Sequence, residues 1–196
     1  MNEISRMSLT KTIGKEEGSI LSQSLWVTFF AVATAISARV EIPHQPVPYT
    51  LQTLVVLLAG AFLGARNGAV SQLLYLCGGA IGLPVFAGGS FGVAPFIGPT
   101  GGYLLAFPAA AAVVGLLIRD RAGLLRIFLA MGAGLVLIFA AGTAQLYAFY
   151  IRDAAGALKA GFLIFTWWDV VKLLAAAMTY HELAKRWPRI PPGREL

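Results

Sequence analysis

Two charged residues stand three positions apart in an otherwise apolar run. The stretch "FTWWDVVKLLAAAM", Phe165 to Met178, carries Asp169 and Lys172 among Val, Leu, Ala and Trp. On a helix, i and i+3 share one face, so both side chains can reach a common cavity. An ionised carboxylate only accepts hydrogen bonds and an ammonium only donates them, so the pair can meet both the donors and the acceptors of a small polar ligand. Two structural readings stand beside this one. Thr166 and Asp169 match the T-x-x-D capping pattern, so a helix could begin at Trp167 with Asp169 closing its first turn. Trp167 and Trp168 would then be interfacial aromatics, and Lys172 a strut to Asp169 alone. Capping and ligand binding are compatible, because a helix N-terminus with open N–H groups is itself polar.

What surrounds the pair depends on the solvent for which the chain is written. Of its 196 residues, 58% are hydrophobic and 12% charged, about half the charge of an ordinary soluble domain. Mean hydropathy is +0.75. The composition predicts one membrane-embedded, all-α domain. Six segments are apolar enough to be helical spans: Leu25–Val40, Pro48–Gly64, Asn67–Leu83, Thr100–Ile118, Leu124–Tyr150 and Phe162–Lys185. An ionisable residue at the centre of such a helix costs about 2.5–3.5 kcal/mol, which makes Asp169 and Lys172 a functional-site hypothesis. The last span would start outside, placing Asp169 roughly 10 Å deep at 1.5 Å per residue.

The net charge of +6 does not point to nucleic acid, because the basic residues form no stripe with interleaved aromatics. They sort by loop instead. Arg6, Lys11, Lys15, Arg66, Arg119, Arg121, Arg126, Lys185, Arg186, Arg189 and Arg194 fall on one side of the six spans. Arg39, Arg152 and Lys159 fall on the other. That asymmetry predicts cytoplasmic termini. The organisation is then a cytoplasmic tail over 1–24, a membrane domain over 25–186 and a second tail over 187–196. No cleavable signal is expected, since the first twenty residues are polar.

The outer loops differ in kind. "EIPHQPVPY" (Glu41–Tyr49) has three prolines, which favour a stiff, extended connection. Gly82–Tyr103 has seven glycines, three prolines and no charge. With Phe86, Phe91 and Phe96 it reads as a cap buried against protein; a loose hydrophobic turn is the alternative. Gln52, Gln72, Tyr75, Tyr103 and Gln145 can each hydrogen-bond inside the bundle, as glue between helices or as ligand contacts. His44 and His181 lack metal-ligand companions, and the single cysteine, Cys77, excludes an internal disulfide. There is no G-x-x-x-x-G-K-[ST] and no Ser/His/Asp arrangement with useful spacing, so neither ATP hydrolysis nor nucleophilic catalysis is expected. Ala31, Ala35 and Ala38 form a small-residue stripe on the first span, a face that another helix could approach closely, within the chain or on a partner.

Three stretches, "PVPYTLQTLVVLLAGAFLG", "GAVSQLLYLCGGAIGLPVFAGG" and "GPTGGYLLAFPAA", followed by "DVVK", resemble in this order the BioY family. Its members are the biotin-binding S components of energy-coupling-factor (ECF) vitamin transporters. The resemblance covers roughly Pro46 to Met178. It implies a six-helix bundle in a prokaryotic plasma membrane that captures biotin from outside, without catalysis or cofactor. The implied partners are a transmembrane coupling protein and two cytoplasmic ABC-type ATPases, with Ala31, Ala35 and Ala38 as a docking face. Asp169 suits the ureido N–H groups of biotin, and Lys172 its ureido carbonyl or its carboxylate. Gln52, Tyr75, Phe86, Tyr103 and Trp168 are the remaining candidate contacts. The chain departs from the family at Thr166-Trp167-Trp168, where a Pro/Gly break is usual before the aspartate. An S component for another vitamin and an ion-coupled secondary transporter are the alternatives.

Overall fold

The computed structural model describes residues 3–118, 122–163 and 167–185. Thr166 of the capping reading, Arg119, Arg121 and the tail 187–196 lie outside the described residues. So does the Trp167 side chain. Helix α1 (Glu3–Ser37) leads into a two-rung antiparallel hairpin, β1 (Glu41–Ile42) and β2 (Tyr49–Thr50), in the proline-rich segment. Then come α2 (Gln52–Ala80), a 3₁₀ turn over Ala87–Gly89, α3 (Ala94–Ile97), α4 (Gly101–Leu117) and α5 (Leu124–Phe149). The chain closes with α6 (Ala154–Leu158), a π turn over Lys159–Leu163, and α7 (Trp167–Leu183). Helix α1 begins at Glu3, so the backbone is already helical ahead of the apolar stretch that starts at Ile20.

Among the described residues three helical stretches are long and apolar enough to cross a membrane: Ile20–Ser37, Gln52–Ala80 and Leu124–Phe149. A fourth is made if Ala154–Leu163 and Trp168–Leu183, bent by 43°, form one broken span. Gly101–Leu117 is apolar but shorter. This is a multi-pass membrane protein.

Helix α2 doubles back on itself. At Gly64 the backbone leaves helical geometry, with φ 75° and ψ −178°, a left-handed φ that glycine reaches without strain. A Cβ on Gly68 would lie 2.9 Å from Gly60 Cα, whereas a continuous helix would separate these residues by about 12 Å. The Gln52 amide reaches the Tyr75 hydroxyl at 2.5 Å, across what would be about 34 Å of straight helix. The second and third expected spans are therefore the arms 52–63 and 65–80 of a tight hairpin, and Arg66 lies in the second arm, not in a loop. The arms are about 18 and 24 Å long, each short of the roughly 30 Å hydrocarbon core.

This hairpin gives the bundle two ends. Gly115 of α4 packs against the Gly64–Ala65 elbow, and Phe62 meets Tyr180 of α7 edge-on at 4.9 Å. At the opposite end, Gln52 and Tyr75 face the β1–β2 hairpin and the 82–99 segment. Arg39, just beyond α1, donates to Pro84 O there. Burying apolar surface does not by itself drive helix association in lipid, so close packing carries it. Small residues supply that: Ala59, Ala61, Ala110 and Ala111 are fully buried where α2 meets α4. Between α1 and α2, Thr34, Gln72 and Ser71 form a buried hydrogen-bonded cluster.

The alanine stripe of α1 belongs to this interior. Ala38 is fully buried, Ala31 nearly so, and Ala35 is half-buried against the core. The exposed face of α1 carries Phe29, Val32 and Ile36 instead. Ala31 and Ala38 thus serve packing within the chain, while Ala35 keeps part of its surface exposed.

Candidate functional site

Lys172 projects from α7 into the end of the bundle away from the Gly64 elbow. Its Nζ lies 2.6 Å from Asp169 Oδ1. It also donates to the Thr50 carbonyl at 3.0 Å and to Thr53 Oγ1 at 3.1 Å. Three N–H groups thus meet three acceptors, one each from α7, β2 and α2. The pair is buried, Asp169 to 2% and Lys172 to 6% exposure. Breaking such a pair by removing one partner typically costs about 3–5 kcal/mol, because the other charge is left uncompensated. Apart from this ion contact, neither Asp169 oxygen has a hydrogen-bond partner among the described residues, so the carboxylate keeps acceptor capacity towards them. Burial, and then the Asp169 charge, push the Tyr49 hydroxyl on β2 above its ordinary pKa.

Lys172 lines a cavity of about 590 Å³. The β1–β2 hairpin closes one side with Glu41, His44, Val47, Pro48 and Thr50. Gln52 and Thr53 contribute from the first α2 arm, and Phe86, Gly88 and Ser90 from the segment after α2. Helix α4 adds Tyr103, Leu104 and Phe107, and α5 adds Ile138 and Phe139. Mostly apolar walls with a few convergent polar groups are the usual composition of a small-molecule site.

The polar wall is fixed from behind. Gln52 accepts from the Thr50 hydroxyl at 2.9 Å and donates to Tyr75; Tyr75 in turn donates to Val85 O at 3.3 Å. Tyr75 stands edge-on to Phe86 at 5.4 Å, and Phe86 edge-on to Phe96 at 5.3 Å. Phe86 is buried because Gly79 has no side chain; a Cβ there would fall within the ring. The 82–99 segment is pinned at both margins. Glu41 accepts from Gly88 N at 2.8 Å. Gln145 donates to Phe96 O and Gly98 O at 3.0 and 2.8 Å, and Tyr150 to Ile97 O at 2.6 Å. Phe91 remains exposed, so Phe86 and Phe96, not Phe91, hold this segment to the bundle.

Of the residues singled out in the sequence, Lys172, Gln52, Phe86 and Tyr103 line the cavity. Asp169 stands behind Lys172, Tyr75 behind Gln52, and Trp168 is half-buried off the cavity wall. Thr50 and Thr53 were not singled out, although both touch Lys172; the run "YTLQT" held the signal, a cluster of hydroxyl and amide groups at a helix start. Ala31, Ala35 and Ala38 are not in this site.

Comparison with known proteins places this arrangement. The family model for BioY matches residues 7–189. The chain belongs to the BioY family. Among BioY relatives, the biotin transporter of Thermotoga maritima is 39% identical over 166 residues, covering 84% of this chain and 97% of that protein. A probable biotin transporter of Pyrococcus horikoshii is 40% identical over 157 residues, 80% of this chain and 93% of its own length. A solved structure described as the S-component for biotin from an ECF-type ABC transporter superposes with a TM-score of 0.78. It covers 86% of this chain and 93% of its own at 24% identity, a likeness of fold. The BioY match spans every element that lines the cavity, from the β1–β2 hairpin to Lys172.

Proposed function

We propose that this chain is the biotin-binding S component of an ECF-type uptake transporter in a prokaryotic plasma membrane. The observation that carries the reading is Lys172 on the wall of the 590 Å³ cavity, held between Asp169, Thr50 and Thr53. Biotin offers two ureido N–H donors, a ureido carbonyl, a carboxylate and an apolar ring and chain. Lys172 serves a ligand oxygen, the acceptor capacity of Asp169 serves a ureido N–H, and Phe86, Tyr103, Phe107 and Phe139 wall the apolar part. For Lys172 to do so, a ligand oxygen shares one of its N–H donors in a bifurcated contact, while Asp169, Thr50 and Thr53 keep the ammonium aimed at the cavity.

Six crossings with both termini cytoplasmic is the topology we assign. It is supported by the α2 hairpin, which turns one long helix into two antiparallel arms, and by the sorting of the basic residues. It is supported too by α1, which runs towards the cavity end at Arg39, and by α7, which runs away from it towards Tyr180. The cavity then opens to the outside. Energised uptake would require a transmembrane coupling protein and two cytoplasmic ATPases, since the chain has no phosphate-binding loop of its own. Titration calorimetry of the detergent-solubilised chain with biotin tests the reading. It predicts near-stoichiometric binding without ATP or partners; heat with another vitamin and none with biotin would move the assignment to a different ligand.

A further inference from the structure

Tyr103 was expected to touch ligand, yet its hydroxyl is committed elsewhere. It donates to Gly161 O at 2.7 Å, 58 residues along the chain, and the side chain is almost fully buried. Gly161 lies in the π turn Lys159–Leu163, which ends the first of two helical pieces, 154–163 and 168–183, inclined to each other by 43°. Both partners are tightly seated. A Cβ on Gly142 of α5 would fall inside the Tyr103 ring, so the ring occupies a notch that only glycine leaves open. A Cβ on Gly161 would lie 2.7 Å from Thr143 Oγ1, 2.9 Å from Leu146 Cδ1 and 3.0 Å from the Tyr103 hydroxyl. Local π turns in helices break the regular ladder and occur often at functional sites. Here the broken element is the one that carries Asp169 and Lys172.

We infer that Tyr103 is a positioning residue: through Gly161 O it sets the bend ahead of α7 and thereby the placement of the Asp169–Lys172 pair in the cavity. The ring forms wall, and the hydroxyl holds the turn. The inference rests on the proposed biotin site for its binding arm, but the geometry of the turn is independent of any ligand. A site whose first contacts are held by a second layer depends on that layer for its geometry.

The test is a double-mutant cycle of Tyr103→Phe and Asp169→Asn, read by biotin titration, with hydrogen exchange on the ligand-free proteins. Phenylalanine keeps the ring in the Gly142 notch and removes only the hydroxyl. In the wild-type background Tyr103→Phe is expected to weaken biotin by about tenfold, the usual scale of one buried hydrogen bond. In the Asp169→Asn background it is expected to cost less than about threefold, because the pair it positions is already disabled. Equal costs in both backgrounds would mean that Tyr103 meets the ligand directly, and no cost in either would mean that the hydroxyl positions nothing; both overturn the inference. In the ligand-free protein, Tyr103→Phe should speed amide exchange selectively over 159–169 while leaving the α2 arms unchanged. Exchange unaltered in 159–169 would overturn the inference even if the chain binds no biotin, a result that would separately remove the proposed function.

Discussion

The Thr53 hydroxyl accepts a hydrogen bond from the Lys172 ammonium at 3.1 Å, joining the first α2 arm to α7 across 119 residues of sequence. With Thr50 O it completes the set of acceptors around a buried charge. Thr53→Val keeps the shape but removes one acceptor from a buried ammonium. Hydrogen bonds to charged groups are worth about 1.5–3 kcal/mol, so biotin binding is expected to weaken by at least tenfold. Thr53→Ser should restore it, because the hydroxyl returns. Titration of the two variants side by side checks this, and equal affinity for Val and Ser would remove Thr53 from the site.

Asp169→Asn leaves the volume unchanged but replaces one acceptor oxygen with a donor group beside the Lys172 ammonium. The loss of a charge-assisted contact predicts a tenfold to hundredfold rise in Kd for biotin. Thermal stability should fall as well, since Lys172 then lacks its counter-charge in a buried setting. Full affinity in the Asn variant would leave Asp169 with a structural role only.

The α2 hairpin makes a prediction of its own. Gly68→Val would press a branched side chain into the Gly60 backbone, and overpacking of this kind costs about 1–3 kcal/mol. The melting temperature and the yield of folded protein should both drop. Gly123→Ala is the matched control, because a Cβ there meets nothing within 4 Å. Similar melting of the two variants would contradict the close antiparallel pairing of the arms.

The stripe on α1 can be tested without any partner. Ala38 is fully buried within this chain, so Ala38→Leu should lower the melting temperature of the isolated protein. A docking face for another subunit would leave the isolated chain unaffected and change only assembly. Melting curves of the purified chain, taken alone, separate the two.

The sequence made some of this legible and hid the rest for identifiable reasons. A buried Asp169–Lys172 pair is readable because two charges at helical spacing contradict their apolar neighbours, and lipid makes that contradiction costly. Phe86 on a buried wall is readable from an uncharged, glycine-rich stretch. The partners of Lys172 are not readable, because Thr50 and Thr53 approach it only after the bundle folds, and no local spacing encodes a contact across more than a hundred residues. Tyr103 is legible as a cavity residue but not as the holder of Gly161, for the same reason. The alanine stripe shows the limit of a surface argument: small residues announce close packing, and burial alone tells which helix packs there. Arg66 pointed to a loop between two spans, whereas Gly64 alone makes the reversal and leaves Arg66 helical.

The most direct measurement is biotin titration of the double variant Asp169→Asn/Lys172→Met. Replacing both charges together avoids leaving one buried and uncompensated, so the fold is expected to survive with a melting temperature near that of the wild type. The account predicts a folded protein with a loss of biotin affinity of at least hundredfold. A folded double variant that binds biotin like the wild type would contradict it, and would place the ligand away from the cavity that Lys172 lines.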